Sequence, residues 1–421
     1  MPAIAYRRDD ETTMSSSQHI LILTPQLPYP PHQGASLRNF YIIKGLAQRH
    51  AITLLSFVDP DQHLDSDPSG PLTQLCTHVY TIPAPPRTRA QRLRQLLFTD
   101  QPDMAFRLSS SAFTTRLREV LHQQVFDIVQ VEGLELARYI PIVRQASPRS
   151  HIVFDDHNAE AALQQRAFLT DLRQPRRWGA ALYSSIQVRR LRRFETWACQ
   201  QADQVTAVSE ADQETLQGLV PEKRVTPIPN CIDVATYDLP PDGLYPTFDL
   251  VFSGKMDYRP NVDAMLWFVA EIWPRIREAR PQATLAVVGQ KPHPRLEPLY
   301  HLPGVTMTGW VESVQPYLAG ATVYVMPFRM GSGTRLKLIE AMAAGKAIVS
   351  TPIGAEGFPV VHNEHLMLAS TPNEFATAVL TLLTQPPRRQ KLGNAARQFA
   401  QQYDWRQVVQ RFEAVYASVI S

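Results

Sequence analysis

The amino-acid sequence predicts an α/β protein made of two doubly wound domains, and three observations lead to that prediction. Its 421 residues are too many for one ordinary core and suit two domains of about 200 residues each. Short apolar runs typical of buried parallel strands alternate with helical stretches in both halves of the chain. Between the halves, residues 238–247 contain three prolines and a glycine, which is the composition of a linker.

The first half begins with a strand, a loop and a helix. Residues 19–24 form an apolar run that ends at a proline-rich loop, residues 25–31, and residues 36–49 then have helical spacing. We expect residues 1–18, which mix charges with a serine run, to be a disordered tail, and residues 19–237 to form the N-terminal domain. The strands predicted in this domain are 19–24, 52–57, 79–82, 128–131, 152–155, 204–208 and 225–228.

The same alternation starts again after the linker, so residues 248–403 are predicted to form a second doubly wound domain. Its predicted strands are 249–252, 283–288, 305–307, 321–326, 347–350 and 365–368, and its predicted helices include 260–279, 312–319 and 335–344. Residues 405–420 have an amphipathic helical pattern but come too late to complete the second sheet. We therefore expect residues 404–421 to pack back on the N-terminal domain. Since doubly wound sheets bind ligands at the carboxyl ends of their strands, the two domains are predicted to face one central cleft.

Composition is that of an ordinary globular enzyme. The hydrophobic fraction of 44% and the charged fraction of 19% exclude wholesale disorder. The longest apolar runs are strand-sized, well short of the roughly 18 residues that a membrane-spanning helix needs. Cys76, Cys199 and Cys231 have no metal-binding spacing, which favours a reducing, cytoplasmic location without zinc. The sequence has neither a Walker loop nor a Gly-x-Gly-x-x-Gly fingerprint, which argues against a kinase or a dehydrogenase.

A loop rich in small residues joins a predicted strand to a predicted helix in the C-terminal domain. The strand 321–326 leads into residues 328–334 (Phe-Arg-Met-Gly-Ser-Gly-Thr), and helical spacing begins directly afterwards. Free backbone N–H groups and the helix dipole make such a turn an anion site. Arg335 and Lys337 add positive charge where the dipole prefers acids, which indicates a negatively charged ligand. Glu340 could reach a sugar or ribose hydroxyl pair, or be an ordinary helix residue.

The segment from Gly331 to Gly345, with the residues after it, is similar to the signature of the family-4 retaining glycosyltransferases of GT-B fold. Other segments resemble the family in the same order along the chain: 228–233 (Ile-Pro-Asn-Cys-Ile-Asp), 253–256 (Ser-Gly-Lys-Met), 287–289 (Val-Val-Gly) and 305–311 (Val-Thr-Met-Thr-Gly-Trp-Val). The resemblance covers residues 19–419 and is strongest after residue 200. It implies two Rossmann-like domains, and transfer of a hexose from a nucleoside-diphosphate sugar with retention of anomeric configuration.

The resemblance also implies roles for residues of the C-terminal domain. Of the family's two glutamates, the second falls on Glu340, which is implied to contact the ribose, whereas the first falls on Ser332, which is no carboxylate. The family's basic pair is represented by Lys255 alone, and Arg335 or Lys337 could supply the missing charge. The donor-binding residues implied for this domain are Gly254, Thr308, Gly309, Trp310, Val311, Ser332, Gly333, Thr334, Lys337 and Glu340.

The N-terminal domain contains two segments that resemble parts of the family's donor site. In the loop before the first helix, Gly34 would allow close approach of the backbone, and Ser36 could contact the donor or cap the helix. His157 follows strand 152–155 in the position of the family's sugar-contacting histidine, although a lone histidine is often structural. Glu132, at the end of another strand, is a weaker candidate. The implied catalytic residues are His157, Lys255, Arg335 and Glu340.

No metal or other cofactor is predicted. Asp59 and Asp61 have Asp-x-Asp spacing but lie in a turn far in sequence from the proposed donor loop. Transfer without a metal must offset the negative charge that builds on the leaving nucleoside diphosphate, and Lys255 and Arg335 are predicted to do so.

The acceptor is predicted to be a glycan or a lipid-linked molecule of surface polysaccharide assembly, with no nucleic-acid partner. Residues 172–193 combine arginines with apolar residues at mixed helical spacing. They could lie on the anionic inner face of a membrane, or serve only the fold. Two other hypotheses remain open: a non-catalytic GT-B protein that binds nucleotide sugars, suggested by Ser332, and a sugar-nucleotide epimerase of the same architecture.

Overall fold

Two parallel β-sheets with helices packed around them make up the protein. The computed structural model describes residues 17–31, 34–59, 70–172, 178–240, 243–331 and 333–420. Asp61 and Ser332 lie outside the described residues, as do residues 1–16 of the predicted tail. The predicted α/β class with two Rossmann-like sheets is confirmed.

The N-terminal sheet is entirely parallel. Its strands are β1 (His19–Thr24), β2 (Ala51–Val58), β3 (His78–Pro83), β4 (Ile128–Glu132), β5 (His151–Asp156), β6 (Gln204–Ala207) and β7 (Val225–Pro227). They lie in the order β3-β2-β1-β4-β5-β6-β7. The direction of winding reverses between β1 and β4, so the loops after these strands leave the sheet side by side at the place where such sheets bind ligands.

Side chains of this sheet alternate between two apolar cores. Leu21 and Leu23 of β1 pack in one core with Phe113, whereas Ile20 and Ile22 pack in the other. Both faces are therefore buried, and the strands are continuous apolar runs for that reason.

The C-terminal sheet repeats this plan with six strands. They are β8 (Phe248–Ser253), β9 (Leu285–Val288), β10 (Val305–Gly309), β11 (Ala321–Met326), β12 (Ala347–Ser350) and β13 (Met367–Leu368). Their order is β10-β9-β8-β11-β12-β13, with the reversal between β8 and β11. The predicted strand 283–288 begins later than expected because Ala283 still belongs to a turn, in which its N–H donates to Arg280 O at 3.0 Å.

The helices lie between the strands in both domains. Those of the N-terminal domain are α1 (Gly34–Leu46), α2 (Leu72–Leu75), α3 (Arg89–Phe98), α4 (Asp103–Arg107), α5 (Ser111–Gln123), α6 (Ile140–Ala146), α7 (Glu160–Leu172), α8 (Trp178–Gln201) and α9 (Glu210–Gln217). After the linker come α10 (Arg259–Trp267), α11 (Trp273–Ala279), α12 (Gln315–Gly320), α13 (Leu336–Ala343), α14 (Pro372–Thr384), α15 (Pro386–Ala400) and α16 (Trp405–Ile420). Across the described ranges, no helix is both long and apolar enough to span a membrane.

One helix prediction needs correction. Helix α1 already includes Gly34, so Ser36 is a buried residue of the first turn, and the prediction that it caps the helix is wrong. The basic segment 172–193 includes Leu172, the last described residue of α7, and the first part of α8, which begins at Trp178. Residues 173–177 lie outside the described part of the chain.

The predicted helix 260–279 is confirmed, with one irregularity. A π turn, Phe268–Ile272, joins α10 to α11 immediately before Pro274. Proline has no N–H to donate to the preceding turn, and the wider π turn absorbs that loss.

The C-terminal helix returns to the N-terminal domain, as predicted. Trp405 N donates to Ile232 O at 3.0 Å, and Ile232 N donates to Tyr403 O at the same distance. Helix α16 then packs on α1, where a β-carbon added to Gly45 would lie 3.0 Å from Val409 Cβ. The absent side chain of Gly45 therefore sets how closely these two helices approach.

Candidate active site

The loop that follows β11 contacts the N-terminal domain across the central cleft. Asn230 Nδ2, in the segment after β7, donates to Thr334 Oγ1 at 2.7 Å. A β-carbon on Gly333 would lie 3.0 Å from Asn158 Oδ1, one residue after His157. Gly34 of α1 lies near Leu336, with 3.9 Å between an added β-carbon and Leu336 Cδ1. The structure thus brings the predicted donor loop together with both predicted segments of the N-terminal domain.

Lys337 lies beneath this loop with its ammonium group buried. Its Nζ donates to Ser253 O at 2.8 Å and to Asn261 Oδ1 at 2.9 Å, and it lies 5.0 Å from the centre of the Phe252 ring. Burial lowers the pKa of Lys337 to about 7, although the charge of Glu340 acts in the opposite direction. Since Asn261 belongs to α10, the Lys337 ammonium group joins α13 to α10.

Arg335 is the second basic group of the loop. Its Nη1 donates to Gly333 O at 3.4 Å and lies 4.0 Å from Glu356 Oε2, while its guanidinium carbon lies 5.0 Å from the centre of the Phe328 ring. Its Nη2 is buried and has no hydrogen-bond partner among the described residues. Burial lowers the pKa of Arg335, and the neighbouring carboxylate of Glu356 opposes that shift. A buried N–H group without a partner costs free energy, and an anionic ligand that reached this nitrogen would offset that cost.

Two glycines allow the strands β8 and β9 to end close to Lys337. Gly254 has a φ of 151° and Gly289 a φ of 157°. A β-carbon on Gly254 would overlap Lys337 Nζ and lie 2.7 Å from Asn261 Nδ2. A β-carbon on Gly289 would overlap the carbonyl oxygen of Gly254. Gly254, predicted as donor-binding, therefore also makes room for the buried ammonium group.

Lys255 lies at the rim rather than in this cluster. Its side chain is 45% exposed, and its Nζ is 3.7 Å from Asp257 Oδ2. Its backbone carbonyl oxygen accepts a hydrogen bond of 2.8 Å from Asn261 Nδ2.

Glu340 lies on α13 one turn after Lys337, with its carboxylate shielded from water. Its Oε1 accepts a hydrogen bond of 2.9 Å from the hydroxyl of Tyr237. Burial raises the pKa of Glu340, while the hydrogen bond from Tyr237 and the charge of Lys337 pull it down. The same carboxylate and burial raise the pKa of the Tyr237 hydroxyl well above its usual value.

The segment predicted to contact the base lies at the outer edge of the C-terminal sheet. Thr308 and Gly309 end β10, Gly309 has a φ of 70°, and the side chain of Trp310 is 69% exposed. Strand β10 is three positions from β11, or about 14 Å at the usual strand spacing. The structure therefore separates Thr308–Val311 from the Lys337 cluster along one edge of the sheet.

His157 is held by a network of buried charges in the N-terminal domain. Its Nε2 lies 2.6 Å from Glu132 Oε2 and 3.7 Å from Asp155 Oδ2. Arg38 of α1 donates to both oxygens of Asp155, at 2.9 and 3.0 Å. Burial alone would lower the pKa of His157, but the hydrogen bond and charge of Glu132 raise it above its usual value.

The pKa values of Glu132 and Asp155 are shifted in opposite directions. Burial and the neighbouring charge of Asp155 raise the pKa of Glu132. Asp155 shows the opposite direction, because the charges of Arg38 and His157 outweigh the effect of burial and lower its pKa. The network continues to the C-terminal helix, since Gln130 donates to Glu132 and Tyr416 donates to Gln130.

The ligand atoms of Glu132, Asp155 and His157 lie within 4.8 Å of one another, a spacing that could suit a metal. Both oxygens of Asp155 already accept from Arg38, and Glu132 is bonded to His157. The donor set is thus saturated by protein hydrogen bonds and arranged as a charge network.

Two family models match the chain. The one described as Glycosyltransferase Family 4 matches residues 33–236, and the one described as Glycosyl transferases group 1 matches residues 247–385. The chain belongs to the family-4 glycosyltransferases.

Curated relatives of this glycosyltransferase are distant. The Klebsiella pneumoniae protein described as an uncharacterized 44.6 kDa protein in the cps region is 20% identical over 86% of this chain and 90% of its own length. The gpi3 subunit of phosphatidylinositol N-acetylglucosaminyltransferase from Schizosaccharomyces pombe is 24% identical over 58% of this chain and 54% of that protein.

Solved structures share the whole architecture. Anabaena HepE in complex with UDP and glucose superposes with a TM-score of 0.65 at 16% identity, covering 95% of this chain and 100% of that chain. Sucrose-phosphate synthase from Thermosynechococcus elongatus gives 0.66 at 18% identity, with 96% and 99% covered. At these identities the likeness concerns the fold, which is GT-B.

The site predicted for this glycosyltransferase is thus only partly one cluster. One cluster lies on the inner side of the donor loop and consists of Gly254, Arg335, Lys337 and Glu340. The loop itself contacts the opposite domain through Gly333 and Thr334. Lys255 and Trp310 lie outside that cluster. Their roles, and that of Ser332 outside the described residues, remain predictions.

Sequence reasoning missed Arg38, Asp155 and Tyr237 and gave Glu132 too little weight. Charged residues in apolar runs, as at Glu132 and Asp155, were the available signal, because such residues are seldom buried without a partner. Nothing local in the sequence marks Tyr237.

Proposed function

We propose that this protein is a retaining glycosyltransferase that moves a hexosyl group from a nucleoside-diphosphate sugar to a glycan or lipid-linked acceptor in surface polysaccharide assembly. The observation that carries the proposal is the contact between the Gly333–Thr334 loop and the Asn158 and Asn230 side chains. The turn predicted to bind an anion, followed by Arg335 and Lys337, therefore lies beside Asn158, the residue after His157. A sugar diphosphate bound there would have its phosphates at the loop and its hexose near His157.

The basic residues would stabilise the departing nucleoside diphosphate. Arg335 Nη2 has no partner among the described residues, and the Lys337 ammonium group lies 5.1 Å from the centre of the Phe328 ring at the start of the loop. Charge placed in a water-poor site acts more strongly on a developing anion than the same charge in water. Lys255, at the rim, would add positive charge from the solvent side. This arrangement supports a reaction that needs no metal ion.

Glu340 would bind the ribose and Thr308–Val311 the base. Glu340 Oε2 is free of the hydrogen bond that Tyr237 makes to Oε1, so it can accept from a ribose hydroxyl. The roughly 14 Å between β10 and β11 would be bridged by the nucleoside and its diphosphate.

In the proposed step, an acceptor hydroxyl attacks the anomeric carbon from the face that the diphosphate leaves. The bond between acceptor oxygen and anomeric carbon forms, the bond to the phosphate oxygen breaks, and the acceptor proton passes to a diphosphate oxygen. His157, oriented by Glu132, would hydrogen-bond the hexose and fix its position for front-face attack.

The names of two related proteins indicate which donors and acceptors to test first. Anabaena HepE was solved with UDP-glucose, and the Klebsiella relative is described by its cps region. We therefore place UDP-hexoses first among the donors.

A screen with radiolabelled UDP-, GDP- and ADP-sugars tests the proposal. We expect transfer, or slow hydrolysis without acceptor, from at least one donor, and NMR of the product should show the donor's anomeric configuration. Absence of both transfer and hydrolysis with every donor contradicts the proposal, and an inverted product contradicts its retaining part. Formation of an epimerised sugar nucleotide without acceptor would instead indicate an epimerase.

The alternative is a non-catalytic GT-B protein that binds nucleotide sugars, and Ser332 at the family's first glutamate favours it. Binding alone does not separate the two. If calorimetry shows UDP binding while the wild-type chain and Ser332→Glu are both without turnover, the binding-protein alternative is supported. Turnover that is lost in Glu340→Gln supports the enzyme.

We also propose peripheral contact with an anionic membrane through the end of α7 and the start of α8. Leu172, Trp178 and Leu182 are exposed large apolar side chains there, and Arg192 is exposed further along α8. Apolar and cationic groups side by side suit an anionic interface. Flotation with vesicles containing 30% anionic lipid, as a rough working composition, should recover the protein at low salt. No flotation, or flotation equal on neutral vesicles, overturns this contact.

A further inference from the structure

A second cavity of about 430 Å³ lies in the N-terminal domain between α4, α8 and the 3₁₀ turn that follows β4. Its lining includes Phe106, Arg138, Arg190, Arg193, Phe194 and Trp197. None of these residues belongs to the proposed donor site.

The cavity has excess positive charge. Three arginines and one carboxylate, that of Asp100, line it. Arg138 Nη1 donates to Ala105 O at 2.8 Å, and Arg190 Nη2 donates to Leu96 O at 3.0 Å. Arg190 Nη1 is buried and has no hydrogen-bond partner among the described residues. Guanidinium groups bind phosphate oxygens with paired N–H donors, so a phosphate satisfies this orphaned group better than a neutral ligand does.

Helix α3 adjoins the cavity and exposes apolar side chains. Helix α3 buries none of its residues, and Leu93, Leu97 and Phe98 are 57%, 66% and 79% exposed. Its link to the cavity is the hydrogen bond from Arg190 to Leu96 O. A helix that exposes large apolar side chains beside an anion-binding cavity suits a molecule with a charged group and a hydrocarbon chain.

The cavity is also close to the proposed site of transfer. Arg138 follows Glu132, the partner of His157, by six residues, and four of these steps lie in the 3₁₀ turn Leu134–Tyr139. At about 2 Å per residue in the turn and about 3.3 Å for the two steps before it, the two positions lie within about 15 Å of each other. A phosphate held in the cavity would therefore lie on the acceptor side of the cleft.

We propose that this cavity binds the phosphate of a lipid-linked acceptor, with Arg138, Arg190 and Arg193 around the phosphate and the α3 side chains against the lipid chain. The inference rests on the proposed glycosyltransferase function and names the chemical class of its acceptor.

Binding of dodecyl phosphate, kept below its micelle concentration, tests the inference. Calorimetry on the full chain should show saturable binding, weakened about tenfold or more in Arg190→Gln and in Arg193→Gln. Arg193 is exposed, so its replacement leaves the packing of α8 intact should Arg190→Gln fail to fold. Arg189→Gln is the matched control, because Arg189 is the preceding residue of α8, exposed and not part of the lining.

Several outcomes overturn the inference. One is equal weakening in Arg189→Gln, which indicates unspecific charge attraction. Another is equally tight binding of dodecyl maltoside, which indicates that the phosphate is not recognised, and a third is equally tight binding of inorganic phosphate, which indicates a site for free anions. Binding of UDP, GDP and ADP is measured in the same samples. If one of these nucleotides binds and dodecyl phosphate does not, this inference fails alone, whereas absence of binding by all three contradicts the proposed function.

Discussion

Tyr237 donates a hydrogen bond to Glu340 Oε1 across 2.9 Å, and this bond joins the end of the N-terminal domain to the helix that follows the donor loop. Tyr237 lies one residue before the predicted linker, and both side chains are shielded from solvent. The carboxylate proposed to bind the ribose is therefore already oriented by the segment about which the two domains would move.

Replacing Glu340 by glutamine should weaken UDP binding by about tenfold to a hundredfold. Hydrogen bonds to a charged group contribute about 1.5–3 kcal/mol, and each 1.4 kcal/mol is about tenfold in affinity. Calorimetry measures the change. Glu278→Gln, an exposed glutamate of α11, is the control and should bind UDP like the unmodified chain. Equal affinity in Glu340→Gln contradicts the ribose role.

Tyr237→Phe should weaken UDP binding less, by about threefold to tenfold, since it removes one hydrogen bond of about 0.5–1.5 kcal/mol and leaves the carboxylate in place. The double variant with Glu340→Gln should bind no more weakly than Glu340→Gln alone, because Tyr237 acts through Glu340. If the double variant instead lost as much affinity as the two single variants together, Tyr237 would have an independent role.

UDP binding should take up a proton above pH 7. The pKa of Lys337 is lowered to about 7 by burial, so the free protein holds it largely neutral at pH 8, and a diphosphate beside it favours the charged form. Affinity should fall by about tenfold per pH unit above pH 7 until the pKa of the complex is reached. Calorimetry in buffers of different ionisation enthalpy counts the protons.

Lys337→Met should abolish that proton uptake. The control is Lys346→Met, since burial also lowers the pKa of Lys346, to about 8, but its Nζ donates to Ala319 O and Ala321 O away from the donor loop. Proton uptake that persists in Lys337→Met, or vanishes in Lys346→Met, contradicts a diphosphate contact by Lys337.

Glu132→Gln should lower the pKa of His157. Burial acts in that direction already, and the hydrogen bond and charge of Glu132 outweigh it. Without the Glu132 carboxylate, burial and the charge of Arg38 favour the neutral ring, and the charge of Asp155 alone still favours the protonated ring. NMR titration of the imidazole measures the shift. Glu210→Gln, at the start of α9, should leave the titration unchanged, and an unchanged His157 in Glu132→Gln contradicts the network.

The sequence predicted strands well and charged pairs poorly, for a physical reason. A strand such as β1 is buried on both faces and is therefore a visible apolar run. The pairing of Arg38 with Asp155 joins residues 117 positions apart, so neither position reveals its partner. The same holds for Lys337 of α13, whose ammonium group donates to Asn261 of α10, 76 positions away. The location of that group follows from how α10 and α13 pack and not from local spacing.

Arg38→Met should destabilise the fold by about 3–5 kcal/mol, the cost of leaving Asp155 as a buried charge without its partner. Arg49→Gln provides the comparison, since Arg49 pairs with Glu413 but its side chain is 71% exposed, and such pairs contribute about 0–1 kcal/mol. Chemical unfolding measures both. If the free energy of unfolding fell by a similar amount in both variants, the buried pair would contribute no more to stability than the exposed pair.

Gly45→Ala tests whether α16 is part of the N-terminal fold. In an isolated helix alanine is favoured over glycine by about 1 kcal/mol, but here the added carbon would overlap Val409, and overpacking costs about 1–3 kcal/mol. We expect net destabilisation by chemical unfolding. In the background of Val409→Ala, which empties that space, Gly45→Ala should lose its penalty and become neutral or stabilising, a coupling of about 0.5–3 kcal/mol. Equal effects of Gly45→Ala in both backgrounds would show that the two helices do not pack at this point.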